Sequence, residues 1–188
     1  GLGDVYKRQP DVERNLPSKN KIIIPTFQQL SKEIGKEKVI WRYDPIFFNE
    51  QYSIEYHCKY FEVLASKLGD YTEKCTVSFM DMYRNTERNV KLLSIVKDTY
   101  EMQVELLQRF VEIAKEYGLY IDTCAEIGDF HNIGVEHAHC IDRERIERIG
   151  GFKLNVDKDT NQRAECGCVA SIDIGAYNTC LLYTSPSP

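Results

Sequence analysis

The sequence has no long hydrophobic run. No apolar stretch approaches the ~18 residues that a membrane-spanning helix needs, and no charged-then-apolar leader of the secretory type opens the chain. The formal net charge is −5, whereas proteins that bind nucleic acid non-specifically are usually basic. We therefore expect a cytoplasmic protein with no membrane partner. The overall charge does not support nucleic-acid binding, although a local basic groove stays possible.

Several motifs that carry well-known chemistry are also missing. There is no phosphate-binding loop, no nucleophile elbow and no His-Glu-x-x-His pair, and no Cys-x-x-Cys pair. What is present is the composition of an ordinary globular protein, with 188 residues, 43 % of them hydrophobic and 28 % charged. A chain of this length buries roughly 70 % of its unfolded surface and needs no disulfide to do so. The length and composition of the chain predict one domain, or a large piece of one.

The seven cysteines are odd in number and lack the regular spacing of a secreted disulfide framework. We expect reduced thiols, and in a reducing compartment a cysteine cluster more often binds metal or catalyses than forms a bridge.

The two ends of the chain differ from what lies between them. Residues 1–9, GLGDVYKRQ, and residues 181–188, LLYTSPSP, continue neither a helical nor a strand period. Both resemble translated sequencing-adapter sequence, and native disordered termini are the alternative. The expected domain is therefore residues 10–180, truncated at both ends, with a cysteine-rich segment at residues 140–180.

Hydrophobic periodicity predicts alternating helices and strands. Helices are predicted at residues 18–34, 54–68, 98–117 and 142–149, with Ser18, the pair Asp98 and Glu101, and Asp142 as capping residues. Pro25 predicts a kink or a late start in the first helix. Strands are predicted at residues 38–46, 74–79 and 119–124. Residues 84–97 carry only a weak helical stripe, and residues 153–180 predict loop and short strands.

This alternation predicts an α/β fold with βα units and a parallel sheet. Periodicity alone does not distinguish an open sheet from part of a barrel. In either architecture the functional residues gather at the carboxyl ends of the strands. Those ends carry three groups of residues: Arg42 to Asp44, Ser78 to Asp81, and Cys124 with Glu126.

The cysteines are the main candidate metal ligands. In an extended segment Cys166 and Cys168 point to the same side and can present two thiolates to one metal. Cys140 and Cys124 are the natural further ligands, which gives a possible four-thiolate site for zinc or an iron–sulfur cluster. The alternative is that these residues are buried reduced thiols that act as small hydrophobic side chains.

The histidines are weaker candidates for ligation. His131, His137 and His139 precede Cys140 in a glycine-containing loop, where they are either zinc ligands or ordinary polar loop residues. His57 lies on the apolar face of a predicted helix, which favours a core residue with satisfied hydrogen bonds.

Three further side chains are candidates for catalysis or ligand binding. Arg42 is a fixed cation with a planar donor fork, which suits a carboxylate or a phosphate. Asp44 either orients Arg42 within a structural pair or accepts from a ligand hydroxyl, and both possibilities stay open. Glu126 is either a polar anchor for a ligand or a loop carboxylate.

The sequence also resembles an uncharacterised bacterial and archaeal family known only as a domain of unknown function. The motifs that carry the resemblance cover nearly everything between the two ends: NLPSK (15–19), VIWRYDPI (39–46), YTEKCTVSF (71–79), TCAEIG (123–128), HCID (139–142) and QRAECGCVASIDIGAYNTC (162–180).

The resemblance implies a partial TIM-barrel-like fold related to radical S-adenosylmethionine enzymes. In that family a Cys-x-x-x-Cys-x-x-Cys pattern holds a [4Fe-4S] cluster, whose free iron binds S-adenosylmethionine for cleavage to a deoxyadenosyl radical. Cys180 corresponds to the first of those three cysteines, and the other two are absent here, so the resemblance implies an inactive fragment. The Arg-Tyr-Asp-Pro stretch is also similar to one in spore photoproduct lyase.

The resemblance further implies that Arg42 and Cys180 bind the cofactor, and that a ferredoxin or a flavodoxin donates electrons. The substrate of the parent enzyme stays unknown. Cys124, Cys140, Cys166 and Cys168 remain available for a second iron–sulfur cluster or for zinc. A non-enzymatic zinc- or iron–sulfur-binding module is the alternative function.

Overall fold

The computed structural model describes residues 17–80, 94–163 and 165–171. Predictions that concern Asp81, residues 84–93 and Cys180 lie outside this part of the chain. Within it, no helix is both long and apolar enough to cross a membrane.

Four α-helices and three short 3-10 turns are found in the described ranges. The helices are α1 (Ile24–Ile34), α2 (Ile54–Leu68), α3 (Tyr100–Glu116) and α4 (Arg143–Gly150). The 3-10 turns are Lys36–Lys38, Gly69–Tyr71 and His131–Ile133, and a π-helical turn, Lys19–Ile23, leads into α1.

The strands form one parallel sheet. They are β1 (Trp41–Ile46), β2 (Lys74–Phe79), β3 (Tyr120–Thr123) and β4 (Glu136–His137). Their spatial order is β1-β2-β3-β4, and each neighbouring pair is parallel. The predicted mixed α/β fold with a parallel sheet is confirmed. Strand β4 was not predicted, because two exposed residues carry no readable period.

The helix boundaries follow from capping and from proline. The Ser18 hydroxyl accepts a hydrogen bond from the Lys21 amide at 3.3 Å, and the α-helical part begins only at Ile24 because Pro25 is tolerated in a first turn. Ser53 caps α2 by accepting from the Tyr56 amide. Asp142 caps α4 as predicted, by accepting from the Arg145 amide at 3.0 Å.

The predicted cap of α3 was wrong by one residue. Thr99, not Asp98, adopts the extended N-cap conformation, and its hydroxyl accepts from the Met102 amide at 3.4 Å. The Asp98 carboxylate instead accepts from the side chain of Gln103. Threonine and aspartate are both good N-caps, so two adjacent candidates cannot be separated by residue type alone.

The hydrophobic core lies between the sheet and the helices α1 to α3. Its centre is a column of stacked rings in which Phe61 of α2 lies 4.9 Å from Trp41 and 4.0 Å from Phe110 of α3, measured between ring centroids. The cluster also takes in Ile24 of α1, Val77 and Ile121. Side chains alternate along a strand, so the residues next to Trp41, Val77 and Ile121 in sequence point to the opposite face of the sheet.

Two segments lack the regular structure of their surroundings. Val96 forms an isolated antiparallel bridge with Phe48, its amide donating to the Phe48 carbonyl at 2.8 Å, so the weak helical stripe does not extend through it. Among the residues described after α4, 151–163 and 165–171, the chain forms loops with one isolated bridge, between Lys158 and Val169, as the loss of periodicity predicted.

Candidate metal centre

Arg42 and Asp44 form an ion pair on β1, at the second and fourth of its six residues. They lie two residues apart on one side of the strand, and Asp44 Oδ2 accepts from both Nε and Nη2 of Arg42, at 2.9 and 2.7 Å. The Asp44 side chain is 11 % exposed and that of Arg42 is 39 % exposed. Asp44 therefore orients Arg42, and this hydrogen bonding leaves Nη1 of the guanidinium directed elsewhere.

Nη1 of Arg42 reaches the first pair of cysteines. It donates to Cys140 Sγ at 3.0 Å, and Cys140 Sγ lies 3.4 Å from Cys124 Sγ. Cys124 directly follows β3, where its amide donates to the Val77 carbonyl at 2.8 Å. Cys140 lies shortly after β4. Side chains from β1, from the residue after β3 and from the segment after β4 thus come together, although β1 and β3 are separated by β2 in the sheet. Cys124 lies at a carboxyl strand end, as expected, whereas Arg42 lies inside β1.

The two thiols of this pair have different acidities. The hydrogen bond with Cys124 and the positive charge of Arg42 lower the pKa of Cys140 to about 7, although burial acts in the opposite direction. The pKa of Cys124 is raised by its hydrogen bond with Cys140 and by partial burial. Cys140 is therefore the more acidic thiol of the pair.

The second pair of cysteines, Cys166 and Cys168, lies next to the first, because Cys168 is hydrogen-bonded to the backbone at Cys140 and Ile141. Cys168 Sγ accepts from the amide of Cys140 at 3.1 Å and from that of Ile141 at 3.4 Å. The Val169 amide donates to the Ile141 carbonyl at 3.1 Å, so the two segments run side by side. Both cysteines are buried, each 5 % exposed, and burial raises the pKa of Cys168.

Gly167, between these two cysteines, lies against the ring of His139. A Cβ atom built on Gly167 would lie 2.2 Å from Nε2 of His139, far inside van der Waals contact. A side chain at position 167 therefore requires the imidazole to move.

The four cysteines thus form two neighbouring pairs at one edge of the sheet. As the side chains are placed in the described ranges, no three histidine, cysteine, aspartate or glutamate side chains form a ready metal-binding group. The donor chemistry nevertheless fits a metal that prefers thiolates. Amide hydrogen bonds to sulfur, as at Cys168, are typical of the outer shell of such centres.

The histidines differ in their roles. His57 is buried, and its Nε2 lies 3.0 Å from the Phe47 carbonyl, which only accepts. Nε2 therefore carries the proton, and Nδ1 accepts from the Tyr43 hydroxyl at 3.0 Å, so the predicted core role of His57 is supported. His131 Nδ1 lies 2.5 Å from Oε1 of Glu136. Among the described contacts, His131 does not touch a cysteine.

The Glu126 side chain is hydrogen-bonded to the backbone of the neighbouring strand β2. Its Oε1 accepts from the Phe79 amide at 2.8 Å, which ties the loop after β3 to the end of β2. Between it and Cys124, Ala125 has a positive φ of 53°, a conformation that non-glycine residues rarely adopt and that is common near functional sites.

A buried polar network beneath the cysteines was missed at the sequence level. Lys74 and Asp122 form an ion pair, and the Thr76 hydroxyl donates to the second oxygen of Asp122 at 2.6 Å. Arg42, Thr76 and Asp122 are register partners across three strands. The alternation of Lys, Thr and Ser with Cys, Val and Phe in KCTVSF was the available signal.

Comparison with known proteins identifies the family. No curated protein and no solved structure matches the chain. The profile of a family described as "Domain of unknown function (DUF1848)" matches residues 4–184. That match spans most of the chain and includes the cysteines of both pairs. The chain therefore belongs to the DUF1848 family.

Proposed function

We propose that Cys124, Cys140, Cys166 and Cys168 together bind a metal centre at the carboxyl edge of the sheet, an iron–sulfur cluster in the first instance. One observation carries the proposal: Cys168 Sγ accepts from the amides of Cys140 and Ile141. That contact joins the two cysteine pairs, which come from separate segments of the chain.

Charge supports the proposal. A centre of four thiolates and one Zn²⁺ carries a net charge of about −2, and a thiolate-bound cluster is also anionic. Arg42 donates to the Cys140 sulfur and is held there by Asp44. A fixed cation and two amide donors compensate part of the negative charge that the centre accumulates.

We further propose that members of this family with the complete cysteine pattern are iron–sulfur enzymes of the radical S-adenosylmethionine type with a TIM-barrel-like fold. The consecutive strand order β1-β2-β3-β4 supports this, because right-handed crossovers between successive neighbours place their helices on one face, as in a barrel. Cys180 would be the first ligand of the radical [4Fe-4S] cluster. That cluster supplies an electron to cleave S-adenosylmethionine when both are bound.

In this proposal a ferredoxin or a flavodoxin donates the electron, and the protein functions in the reducing environment of the cytoplasm. The residues of this chain have more limited roles. Arg42 and Asp44, on β1, face the cofactor or the substrate. Glu126 holds the loop that presents Cys124, through its bond to the Phe79 amide.

A structural zinc site is the second candidate, and a specific observation favours it. The segment from residue 151 to residue 171 has one isolated bridge and otherwise no helix or strand among its described residues. Cys166 and Cys168 are its buried anchors. A metal that clamps such a segment contributes folding free energy directly, without any reaction.

Anaerobic purification followed by iron, sulfide and zinc analysis tests both candidates. The cluster proposal predicts iron with a similar amount of sulfide, and the zinc module predicts about one zinc per chain without sulfide. In each case the double variant Cys166→Ser/Cys168→Ser loses the metal, whereas Cys58→Ala, which removes a buried cysteine of α2, retains it. A wild-type chain without metal contradicts both.

The radical activity is tested on a relative that has the complete cysteine pattern. Incubation with a chemical reductant and S-adenosylmethionine should release 5′-deoxyadenosine. A relative that holds zinc, contains no sulfide and never cleaves S-adenosylmethionine would disprove the radical proposal and leave the zinc module standing.

A further inference from the structure

We infer that Cys140 and Cys124 form a thiol–disulfide exchange site in the metal-free chain, whose substrate is a small-molecule disulfide. Their sulfur atoms lie 3.4 Å apart, so they must approach by roughly 1.4 Å more to form an S–S bond of about 2.0 Å. This inference goes beyond metal binding and does not depend on it. It follows from the arrangement of two sulfurs, one cation and the surface.

The two cysteines differ in exposure in the way that such a reaction needs. Cys140 is exposed, whereas Cys124 is partly buried behind it. An external disulfide therefore meets Cys140 first. Cys58 and Cys75 are fully enclosed in the core and have no thiol neighbour within hydrogen-bonding distance among the described contacts.

Arg42 supplies the electrostatic assistance. Its Nη1 donates to Cys140 Sγ at 3.0 Å, and it also interacts with the Cys124 thiol. A guanidinium beside a cysteine favours the thiolate, which is the nucleophile in exchange. Because Asp44 holds Arg42 through two hydrogen bonds, the cation stays in place when the first sulfur has reacted, and it then faces the second.

The reaction has two balanced steps. The Cys140 thiolate attacks one sulfur of the small disulfide, which breaks its S–S bond, forms a mixed disulfide and releases one thiolate. The Cys124 thiol then loses its proton to solvent and attacks Cys140 Sγ, forming the Cys124–Cys140 bond and releasing the second thiolate. The small disulfide is reduced by two electrons, and both released thiolates take up protons from water.

The test uses the full chain, reduced and freed of metal with a chelator, and oxidised glutathione as the probe. The expected product has lost the mass of two hydrogen atoms. Cleavage after Glu126 and Glu136, which separate the two cysteines in sequence, should give fragments joined by a Cys124–Cys140 disulfide. A product that joins other cysteines, a persistent mixed disulfide, or no reaction overturns the inference.

Three variants assign the roles. Cys124→Ser should stop at the mixed disulfide, with one glutathione on Cys140. Cys140→Ser should react at least tenfold more slowly, and Arg42→Gln about tenfold more slowly. Circular dichroism confirms folding, and Cys124→Ala replaces the serine variant if that one is unfolded. If Cys124→Ser still loses two hydrogen atoms, the pairing is wrong.

Discussion

Arg42 and Cys140, 98 positions apart in the sequence, are joined by a 3.0 Å hydrogen bond from Nη1 to Sγ. Because Asp44 also holds the guanidinium through two hydrogen bonds, Arg42 links β1 to the first cysteine pair. Arg42 and Asp44 form an ion pair, and its guanidinium is directed at the candidate metal centre. A contact of either residue with a ligand stays a prediction.

Replacing Arg42 with glutamine should weaken metal binding. The variant loses a charged donor to sulfur in the outer shell of the proposed centre, and such losses typically cost about 10- to 100-fold in affinity. Competition with a chromophoric chelator measures the effect. Arg109→Gln is the matched control, because Arg109 pairs with Glu55 on the helices, away from the cysteines. Equal affinities in the two variants would contradict a role for Arg42.

Replacing Gly167 with alanine should disturb the second cysteine pair. The new Cβ would meet His139 Nε2 at 2.2 Å, so the imidazole or the Cys166–Cys168 loop must shift. We expect metal affinity to fall by about tenfold and to recover in Gly167→Ala/His139→Ala, where the obstructing ring is gone. If the double variant binds no better than the single one, the clash is not the cause.

Replacing Lys74 with methionine should destabilise the fold strongly. It leaves the Asp122 carboxylate buried without its cation, which costs about 3–5 kcal/mol. Lys74→Met/Asp122→Leu should recover much of this loss, because no unpaired charge remains. Urea denaturation measures all three proteins. Lys153→Met removes an exposed lysine that pairs with Glu147 and should produce no measurable change. A Lys74→Met protein as stable as that control would show that the pair contributes nothing.

Glu73 should make stability depend on pH. Its pKa is lowered by the hydrogen bond from Arg148, with further help from the charge of Arg145. A depressed carboxyl pKa stabilises the fold above the unfolded value and loses that effect as pH falls through the folded value. The free energy of unfolding of the wild type should exceed that of Glu73→Gln by about 1 kcal/mol or less. This difference should shrink as pH falls from about 6 to about 3. A constant difference across that range would contradict this assignment.

The parallel α/β fold was predictable because its helices and strands have clear periods. Ser53 and Asp142 lie before apolar or amphipathic runs, and Trp41 and Phe61 fall on the buried sides of theirs. Residue type did not predict the helix start where two adjacent residues are both good N-caps, as Asp98 and Thr99 are before α3. They also failed for β4, which exists because its backbone pairs with β3 rather than because of its own side chains.

The candidate site was predictable in membership but not in arrangement. The strand-end rule selected Arg42, Asp44 and Cys124. Nothing in the sequence shows that Cys168 accepts from the amide of Cys140, since that bond spans 28 positions. The Lys74–Asp122 pair was missed for the same reason, because a cross-strand partner is set by register.

X-ray absorption at the edge of the metal found in the anaerobically purified chain tests the central claim most directly. The account predicts four sulfur ligands at about 2.3 Å, and the loss of that signal in Cys166→Ser/Cys168→Ser. A first shell of nitrogen or oxygen at about 2.0–2.2 Å, or fewer than four sulfurs, would contradict the claim that Cys124, Cys140, Cys166 and Cys168 hold one centre.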